Sequence, residues 1–286
     1  MADNLSASAP ESGADHPIER DLILTDADFA RIRDLIGQRA GIVLTEHKRD
    51  MVYSRIGRQV RRRGMTRFSD YLAELERDSA GPDWESFVNA LTTNLTGFFR
   101  EAHHFRLLAE HFRGRRGPVR VWSAGASTGE EPYSIAMTLV ETLGEDVDIR
   151  ILGTDIDTEA LARARGGIYS EKQVRMQVES ARIKRFFLKG TGARAGLVRV
   201  RPQLAGRVRF EKLNLIHGNW PIKGNLDAIF CRNVMIYFDK AAQARMLERF
   251  APLLKPDGLL FVGHSENFSQ LSKHFRLRGQ TVYTLA

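Results

Sequence analysis

Residues Val121 to Ala136 read VWSAGASTGEEPYSIA, and this stretch decides the fold of the larger part of the chain. An apolar run enters a turn with two glycines, after which the pattern predicts a helix from Pro132. A nucleotide-binding loop has this order, but Glu130 and Glu131 stand where a pyrophosphate would dock. Two carboxylates would repel phosphate, so the loop is predicted to take a different ligand.

The edge of the predicted sheet holds an acidic residue that narrows the choice of ligand. Asp155 follows Gly129 by 26 positions, near the spacing at which a carboxylate binds a ribose diol. Gly125 and Gly129 do not spell the dinucleotide fingerprint. A nucleoside without phosphate and with positive charge fits these features, and S-adenosylmethionine is such a molecule. The alternative is that both glutamates only complement the dipole of the helix that follows them.

Strand and helix patterns alternate from Pro118 to the C-terminus. The predicted strands are VRVWSA, DIRILG, LDAIFC, LLFVG and TVYTL, and the predicted helices cover Pro132–Leu143, TEALARAR and about Lys240–Leu254. This alternation predicts an α/β fold with a mostly parallel sheet covered by helices. The glycine-rich stretch over residues 189–215 is predicted to be a small antiparallel β-insertion, here called the β-subdomain.

The N-terminal part of the chain has a different organisation. Helical periodicity runs from about Thr25 to Asn94, with apolar repeats such as Phe29, Ile32 and Ile36. It predicts an all-α domain over residues 21–93, followed by the α/β domain over residues 94–286. Residues 1–20 are rich in Ala, Ser, Asp and Pro and lack an apolar signal segment, so they are predicted to be a disordered tail.

Composition indicates a globular protein with one concentrated basic region. The chain has 286 residues, of which 43% are hydrophobic and 27% charged, and a single cysteine, which indicates a reducing cytoplasm. The net charge is +8, and eight cations stand against one anion, Asp50, between Lys48 and Arg67. This basic patch predicts an acidic partner, and the alternative is a solvated helix face.

Two further groups of polar residues are candidates for the site. They are Asn94, Thr96 and Arg100 in LTTNLTGFFREAHHF, residues 91–105, and Arg232, Asn233 and Tyr237 in FCRNVMIYF, residues 230–238. The first group lies at the domain junction, and the second follows a predicted strand at the ligand edge. Arg100 either forms two hydrogen bonds to one carboxylate or is an exposed helix arginine.

The histidines and the cysteine are predicted to have no catalytic role. His103 and His104 are adjacent, so they lie on different faces of a helix and lack the spacing of a metal site. We therefore predict no metal and structural or surface roles for them. Cys231 lies in a predicted strand and is interpreted as a small buried residue rather than a nucleophile.

Five motifs together closely resemble the CheR family of chemotaxis receptor methyltransferases. They are NALTTNLTGFFREAHHF, WSAGASTGEEPYSIA, TDIDTEAL, FCRNVMIYF and GHSENF, and the similarity runs from about residue 25 to the C-terminus. The resemblance implies a class I methyltransferase (Rossmann-like) domain with a small β-subdomain insertion, preceded by an all-α domain. It also implies methyl transfer from S-adenosylmethionine to glutamate side chains of methyl-accepting chemotaxis receptors, giving glutamate methyl esters for sensory adaptation and S-adenosylhomocysteine as product.

The resemblance further implies roles for individual residues. Cofactor contacts are expected at Asn94, Thr96, Arg100, Glu131, Asp155, Asn214, Leu215, Arg232 and Asn233. Arg100 and Tyr237 are expected to be the catalytic pair. The basic helix is expected to bind acidic receptor methylation helices through Arg55, Arg58 and Arg62.

Expected partners and location follow from the same resemblance. In some members the β-subdomain captures an extended C-terminal receptor tail by strand addition. The protein is expected in the cytoplasm at chemoreceptor arrays of the inner membrane, without membrane insertion and without a nucleic-acid partner.

Two other functions stay open at this point. A nucleic-acid methyltransferase would place the basic patch on phosphates, but the patch lies on the separate helical domain. A catalytically silent scaffold that binds receptors has the same fold. The presence of both Arg100 and Tyr237 argues against the silent scaffold.

Overall fold

The computed structural model describes residues 21–268 and 271–286, so the tail predicted for residues 1–20 lies outside the described part of the chain. The first helices are α1 Asp26–Ala40, α2 Arg49–Arg62, α3 Phe68–Arg77 and α4 Asp83–Leu91. Thr25 and Asp28 form a capping box at the start of α1, which satisfies two backbone N–H groups. The apolar faces of these helices share one core, which explains the helical periodicity of this region.

The α/β domain contains the remaining elements. They are α5 His103–Phe112, β1 Val119–Ala124, α6 Glu130–Leu143, β2 Ile149–Asp155, α7 Thr158–Gly166, β3 Ile168–Ser170, α8 Glu171–Gln177, α9 Ser180–Phe186, β4 Phe187–Lys189, β5 Leu197–Val200, α10 Pro202–Ala205, β6 Val208–Lys212, β7 Leu226–Cys231, α11 Lys240–Phe250, β8 Leu254–Val262, β9 Phe275–Gly279 and β10 Val282–Leu285. A short 3-10 helix, Met235–Tyr237, follows β7.

Among the described residues, seven strands form one sheet in the order β6-β2-β1-β7-β8-β10-β9. β6, β2, β1, β7 and β8 are parallel, and β10 and β9 pair antiparallel. Neighbouring residues of β1 face opposite sides, so Val121 and Trp122 belong to different apolar clusters, one on each face of the sheet. The predicted α/β fold with a mostly parallel sheet is confirmed.

The predicted boundaries of the β-subdomain are wrong. In the described part of the chain, its small sheet has the order β3-β5-β4 and lies within residues 168–200. β6 instead pairs with β2 in the large sheet. There the ring of Phe210 packs over Gly153, and a Cβ on this glycine would come within 2.8 Å of the ring. Short alternating strands look alike in sequence, and it is this packing that assigns β6 to the large sheet.

Two helix boundaries also differ from the prediction. α6 begins at Glu130 rather than Pro132, because Gly129 takes a φ of 98° as the N-cap and turns the chain into the helix. α11 ends at Phe250, where a 3-10 turn that contains Pro252 follows. None of the helices in residues 21–268 or 271–286 is long and apolar enough to cross a membrane.

Candidate active site

A cavity opens at the edge of the sheet where β1, β2 and β7 end, the position at which parallel sheets bind ligands. The end of α4 and the linker after it form the opposite wall. All the residues expected to contact the cofactor or to act in catalysis line this cavity: Asn94, Thr96, Arg100, Glu131, Asp155, Asn214, Leu215, Arg232, Asn233 and Tyr237. Both domains therefore contribute to one site.

The turn after β1 depends on glycine at position 125. Gly125 has a φ of 98°, and a Cβ there would overlap Cγ2 of Val234. The N–H groups of Gly125 and Ala126 both donate to the carbonyl oxygen of Thr154, at 2.8 Å each. The turns after β1 and β2 are thereby locked together, and the missing side chain leaves the cavity open.

Asp155 presents a carboxylate at the end of β2. Its Oδ2 accepts the N–H of Ser127 at 2.8 Å, and its Oδ1 accepts the N–H of Asp157 at 3.0 Å. Burial raises the pKa of Asp155, and these backbone hydrogen bonds oppose that effect. A carboxylate fixed in this way keeps lone pairs that can accept hydrogen bonds from a ribose diol.

Asp157 joins the two domains, and the sequence analysis did not identify it. Its Oδ1 accepts the N–H of Ala160 at 2.9 Å and so caps α7. Its Oδ2 accepts hydrogen bonds from Thr92 Oγ1 at 2.6 Å and Asn94 Nδ2 at 2.7 Å. The second aspartate of TDIDTEAL, Asp157, precedes a predicted helix and so indicates a helix cap. The sequence gives no indication of its contacts with Thr92 and Asn94.

Glu131 and Arg232 form a buried ion pair at the cavity. Arg232 Nη1 lies 2.9 Å from Glu131 Oε2, and Ser123 Oγ donates to Oε1 at 2.7 Å. Burial raises the pKa of Glu131, while the Arg232 guanidinium lowers it. Arg232 Nη2 also donates to the carbonyl oxygen of Arg100 and lies 3.3 Å from Glu101 Oε2. One guanidinium thus connects the turn after β7 with α6 and the segment that carries Arg100.

The two adjacent glutamates have different surroundings. Glu131 lines the cavity, whereas the Glu130 carboxylate accepts a hydrogen bond from Thr128 Oγ1 at 2.7 Å. Burial raises the pKa of Glu130. Of the pair, Glu131 is therefore the one placed to contact a ligand.

Arg100 and Tyr237 line the cavity and are both partly exposed, and we call the part of the cavity beside them its mouth. Arg100 Nη1 donates to the carbonyl oxygen of Leu95 at 3.0 Å, which leaves other guanidinium N–H groups for a ligand. Tyr237 ends the 3-10 helix after β7, and its carbonyl oxygen accepts the N–H of Val43 at 2.9 Å. Asn214 is held nearby, since its Nδ2 donates to the carbonyl oxygen of Arg39 at 2.7 Å.

The three arginines predicted to bind substrate are not equivalent. Arg58 and Arg62 are exposed on α2. Arg55 is half-buried, and its Nη1 donates to the carbonyl oxygens of Ala90 and Thr92 at the end of α4. The free carbonyls at a helix C-terminus attract a guanidinium, so Arg55 fastens α2 to α4, and its role on the docking surface stays a prediction.

The histidines near the site are packed more closely than their sequence suggested. His104 is fully buried, and its Nε2 lies 3.1 Å from the carbonyl oxygen of Gln280. The possible ligand atoms of Glu101, His103 and His104 lie within 4.8 Å of one another, beside the Arg232 guanidinium. Cys231 is buried, and burial raises the pKa of its thiol well above its ordinary value, which disfavours the nucleophilic thiolate.

The donor set of the cavity fits S-adenosylmethionine. Asp155 offers acceptors for ribose hydroxyls, and the negative charge of Glu131 suits a cationic ligand. The cavity also presents apolar side chains to an adenine ring, among them Ile42, Leu215 and Val234.

Comparison with known proteins assigns the chain to a family. Residues 94–284 match the model described as CheR methyltransferase, SAM binding domain, and residues 27–92 match CheR methyltransferase, all-alpha domain. The chain is 57% identical to a chemotaxis protein methyltransferase of Klebsiella aerogenes, with 100% of this chain and 99% of the relative covered.

Two further relatives also match over almost the whole length of the chain. A chemotaxis protein methyltransferase of Escherichia coli (strain K12) is 58% identical, with 93% of each chain covered. Chemotaxis protein methyltransferase 2 of Pseudomonas aeruginosa is 51% identical, with 92% of this chain and 94% of the relative covered. The chain therefore belongs to the CheR methyltransferase family and is a methyltransferase that uses S-adenosylmethionine.

Proposed function

We propose that this enzyme methylates glutamate side chains of methyl-accepting chemotaxis receptors and forms methyl esters for sensory adaptation. The names of its relatives place methylation in chemotaxis. The observation that carries the choice of a carboxylate acceptor is the position of Arg100. Arg100 lines the same cavity as Glu131 and Asp155. A guanidinium there can orient an incoming carboxylate through paired hydrogen bonds.

Different residues of the cavity bind different parts of the cofactor. When bound, S-adenosylmethionine supplies an electrophilic methyl group on a positively charged sulfur. Asp155 accepts hydrogen bonds from hydroxyl groups, and Glu131 provides negative charge near the cationic end. Asn94 and Asn214 supply amide groups on opposite sides, each fixed by a hydrogen bond of its own, to Asp157 and to Arg39.

The attacking group needs orientation and a dry site rather than a base. A glutamate carboxylate is ionised at neutral pH, so no side chain has to remove a proton. Its charge and that of the sulfonium partly cancel as the bond forms, so exclusion of water favours the reaction. A tight grip by Arg100 would favour the ground state, and we therefore assign Arg100 to orientation. Tyr237 shapes the methyl pocket or orients the same carboxylate.

Three exposed apolar residues are linked to Arg100 or Tyr237, and we call them the apolar rim: Val43, Leu95 and Ile236, which are 54%, 77% and 49% exposed. Of these, Leu95 lines the cavity. Leu95 accepts the Arg100 hydrogen bond through its carbonyl oxygen, Val43 donates to the carbonyl oxygen of Tyr237, and Ile236 directly precedes Tyr237. Apolar groups so close to the reacting position suit a receptor helix that presents one glutamate among apolar neighbours.

The basic patch continues from this mouth along α2. α2 lies antiparallel to α4, because Arg55 reaches the carbonyl oxygen of Thr92 and Gln59 reaches that of Ser86. Thr92 lines the cavity, and Arg58 and Arg62 follow Arg55 on the same stripe of the helix. An acidic receptor helix that placed its glutamate at Arg100 would thus meet Arg58 and Arg62 with its other carboxylates.

The β-subdomain offers a second contact for a receptor. Within the described residues, β3 and β4 are the edge strands of the small sheet, with β5 between them. An extended receptor tail could add to an edge strand through backbone hydrogen bonds. Such a contact would hold the enzyme at cytoplasmic receptor arrays near the inner membrane.

The test is transfer of a labelled methyl group to membranes that contain chemoreceptors. The receptor band is treated with alkali, and volatile methanol is collected. Base-labile label means a carboxyl ester and supports the proposal. Stable label would indicate methylation of nitrogen and overturn it. Absence of transfer, with S-adenosylmethionine and receptor both bound, would favour the silent scaffold.

A further inference from the structure

Glu266 is a buried carboxylate that the reaction described above does not use. It belongs to the motif GHSENF, residues 263–268, which follows β8. The residue is 4% exposed and lies beneath the turn that follows β7. Its Oε1 has no hydrogen-bond partner among the described residues, so the contacts of Oε2 indicate what this buried carboxylate does.

The partners of Glu266 are backbone N–H groups from two neighbouring turns. Its Oε2 accepts the N–H of Gly263 at 2.6 Å and the N–H of Asn233 at 3.0 Å. Burial raises the pKa of Glu266, and the nearby backbone N–H groups of Gly263, Asn233, Met235 and Ile236 oppose that effect. One carboxylate therefore collects N–H groups from the turn after β8 and from the turn after β7.

The turn after β7 is held by side chains from outside it: Glu266 accepts from its N–H groups, and Gln243 Nε2 donates to the carbonyl oxygens of Met235 at 2.8 Å and Phe238 at 3.0 Å. Asn233 has a φ of 58°, a conformation that a residue with a side chain adopts at an energetic cost. The 3-10 helix Met235–Tyr237 is one turn long, too short to be stable by itself. A Cβ on Gly263 would come within 2.8 Å of the backbone nitrogen of Asn233, so the two turns are in close contact.

We propose that Glu266 is a positioning residue for methyl transfer. Its carboxylate holds the turn that presents Asn233 to the cofactor cavity and Tyr237 to the mouth, and it touches neither reactant. A negative charge suits this task, since one oxygen can accept several N–H groups that converge at the start of a short helix. This inference rests on the proposed roles of Asn233 and Tyr237.

The test compares Glu266→Gln with Asp227→Asn. Asp227 is also a buried carboxylate, 2% exposed, and accepts the N–H of Arg120 at 2.8 Å. It lies near the start of β7, away from the cavity, and its Oδ1 lies 2.6 Å from Lys255 Nζ, so it serves as a demanding control for loss of a buried charge. Glu266→Asp keeps the charge but shortens the side chain.

The first readout is the kinetics of methyl transfer under conditions where denaturant titration shows each variant folded. We expect Glu266→Gln to lower kcat about tenfold to a hundredfold, the scale at which small misplacement of a catalytic group acts. The KM for receptor should rise by a smaller factor than kcat falls, because the basic patch and Leu95 are untouched and only Ile236 of the rim belongs to this turn. Glu266→Asp should recover part of kcat, and Asp227→Asn should leave kcat within about twofold of the wild type.

The second readout is hydrogen exchange at individual amides. In Glu266→Gln, the amides of Asn233, Met235 and Ile236 should exchange faster while those of β1 keep wild-type rates. Unchanged exchange at these amides, or unchanged kcat, would overturn the proposal, as would an equal loss of kcat in Asp227→Asn. If the wild-type enzyme forms no base-labile ester, the proposed function fails, and the exchange rates still decide whether Glu266 holds the turn.

Discussion

Nη1 of Arg232 lies 2.9 Å from Oε2 of Glu131, and their side chains are 2% and 11% exposed. The pair joins the turn after β7 to the first turn of α6, two segments that both line the cavity. Because Arg232 also binds the carbonyl oxygen of Arg100, the ion pair connects the proposed cofactor contacts to the proposed catalytic residue. Stability and site geometry are therefore coupled here.

We predict that Arg232→Met lowers the free energy of unfolding by about 3 kcal/mol, because it leaves the Glu131 carboxylate buried without its guanidinium. The double variant Glu131→Gln/Arg232→Met should cost less than the sum of the single variants. Urea denaturation of the four proteins measures this. Strict additivity would mean that the two side chains do not stabilise each other.

We predict that Gly125→Ala destabilises the protein and weakens binding of S-adenosylhomocysteine. Gly125 and Gly117 have φ values of 98° and 97°, but a Cβ at Gly117 would have nothing within 4 Å. Gly117→Ala should therefore cost about 1 kcal/mol for the backbone alone. Gly125→Ala should cost about 1–3 kcal/mol more, because its methyl group overlaps Val234.

The check is denaturation together with titration calorimetry of both glycine variants. Adding Val234→Ala to Gly125→Ala should remove most of the extra loss in the free energy of unfolding that Gly125→Ala shows relative to Gly117→Ala. Equal losses at Gly117 and Gly125 would show that the overlap with Val234 has no effect.

The location of the cavity could be predicted from the sequence, because its polar residues directly follow strands. Asp155 ends β2 and Arg232 follows β7, and in a parallel sheet both positions meet at one edge. The contacts of Asp157 with Thr92 and Asn94 could not be predicted from the sequence, since they depend on how the helical domain packs on the sheet. The contact of Glu266 with Asn233 was similarly hidden, because Asn233 belongs to a turn 33 positions earlier.

Periodicity does not identify neighbours, so the contacts of Arg55 and the sheet to which β6 belongs could not be inferred from it. The helical repeat placed Arg55 on the same stripe as Arg58, but the end of α4 lies against it and its guanidinium binds the free carbonyls there. Alternation placed β6 in the small sheet, but Phe210 fits over Gly153 of β2. In both cases tertiary packing overrode a local pattern.

We predict that Leu95→Ser raises the KM for receptor about tenfold, the equivalent of about 1.4 kcal/mol of lost apolar contact at the rim. Binding of S-adenosylhomocysteine should stay within about twofold, since the Leu95 carbonyl that holds Arg100 is unchanged. Leu277→Ser is the control, because Leu277 is 46% exposed on β9 at the far edge of the sheet. Equal effects of the two variants on KM would contradict a specific role for the rim.

We predict that receptor methylation by the wild type weakens as salt is added, because Arg58 and Arg62 attract acidic groups through a screened surface interaction. Reversing both to glutamate should raise the KM for receptor about tenfold at low salt and flatten its dependence on salt. Arg276→Glu/Arg278→Glu makes the same change in net charge on β9, where both residues are exposed. If this second reversal acts as strongly as the first, general charge rather than the patch governs binding.

We predict that His104 makes the fold less stable at mildly acidic pH. Burial, aided by the Arg232 guanidinium, lowers the pKa of His104 from 6.5 to about 3. Between these values the unfolded chain binds a proton that the folded protein does not, so stability falls by about 1.4 kcal/mol for each unit by which the pH drops below 6.5.

From pH 7 to pH 5, His104 should therefore remove about 2 kcal/mol from the free energy of unfolding. Several buried carboxylates with raised pKa values, such as Glu131 and Glu266, act in the opposite direction, but they are present in wild type and variant alike. In His104→Gln the loss of about 2 kcal/mol between the two pH values should disappear. His47 is exposed, so His47→Gln should still show the loss of stability between pH 7 and pH 5. Urea denaturation at pH 7 and pH 5 decides, and an unchanged pH dependence in His104→Gln would mean that folding does not lower the pKa of His104.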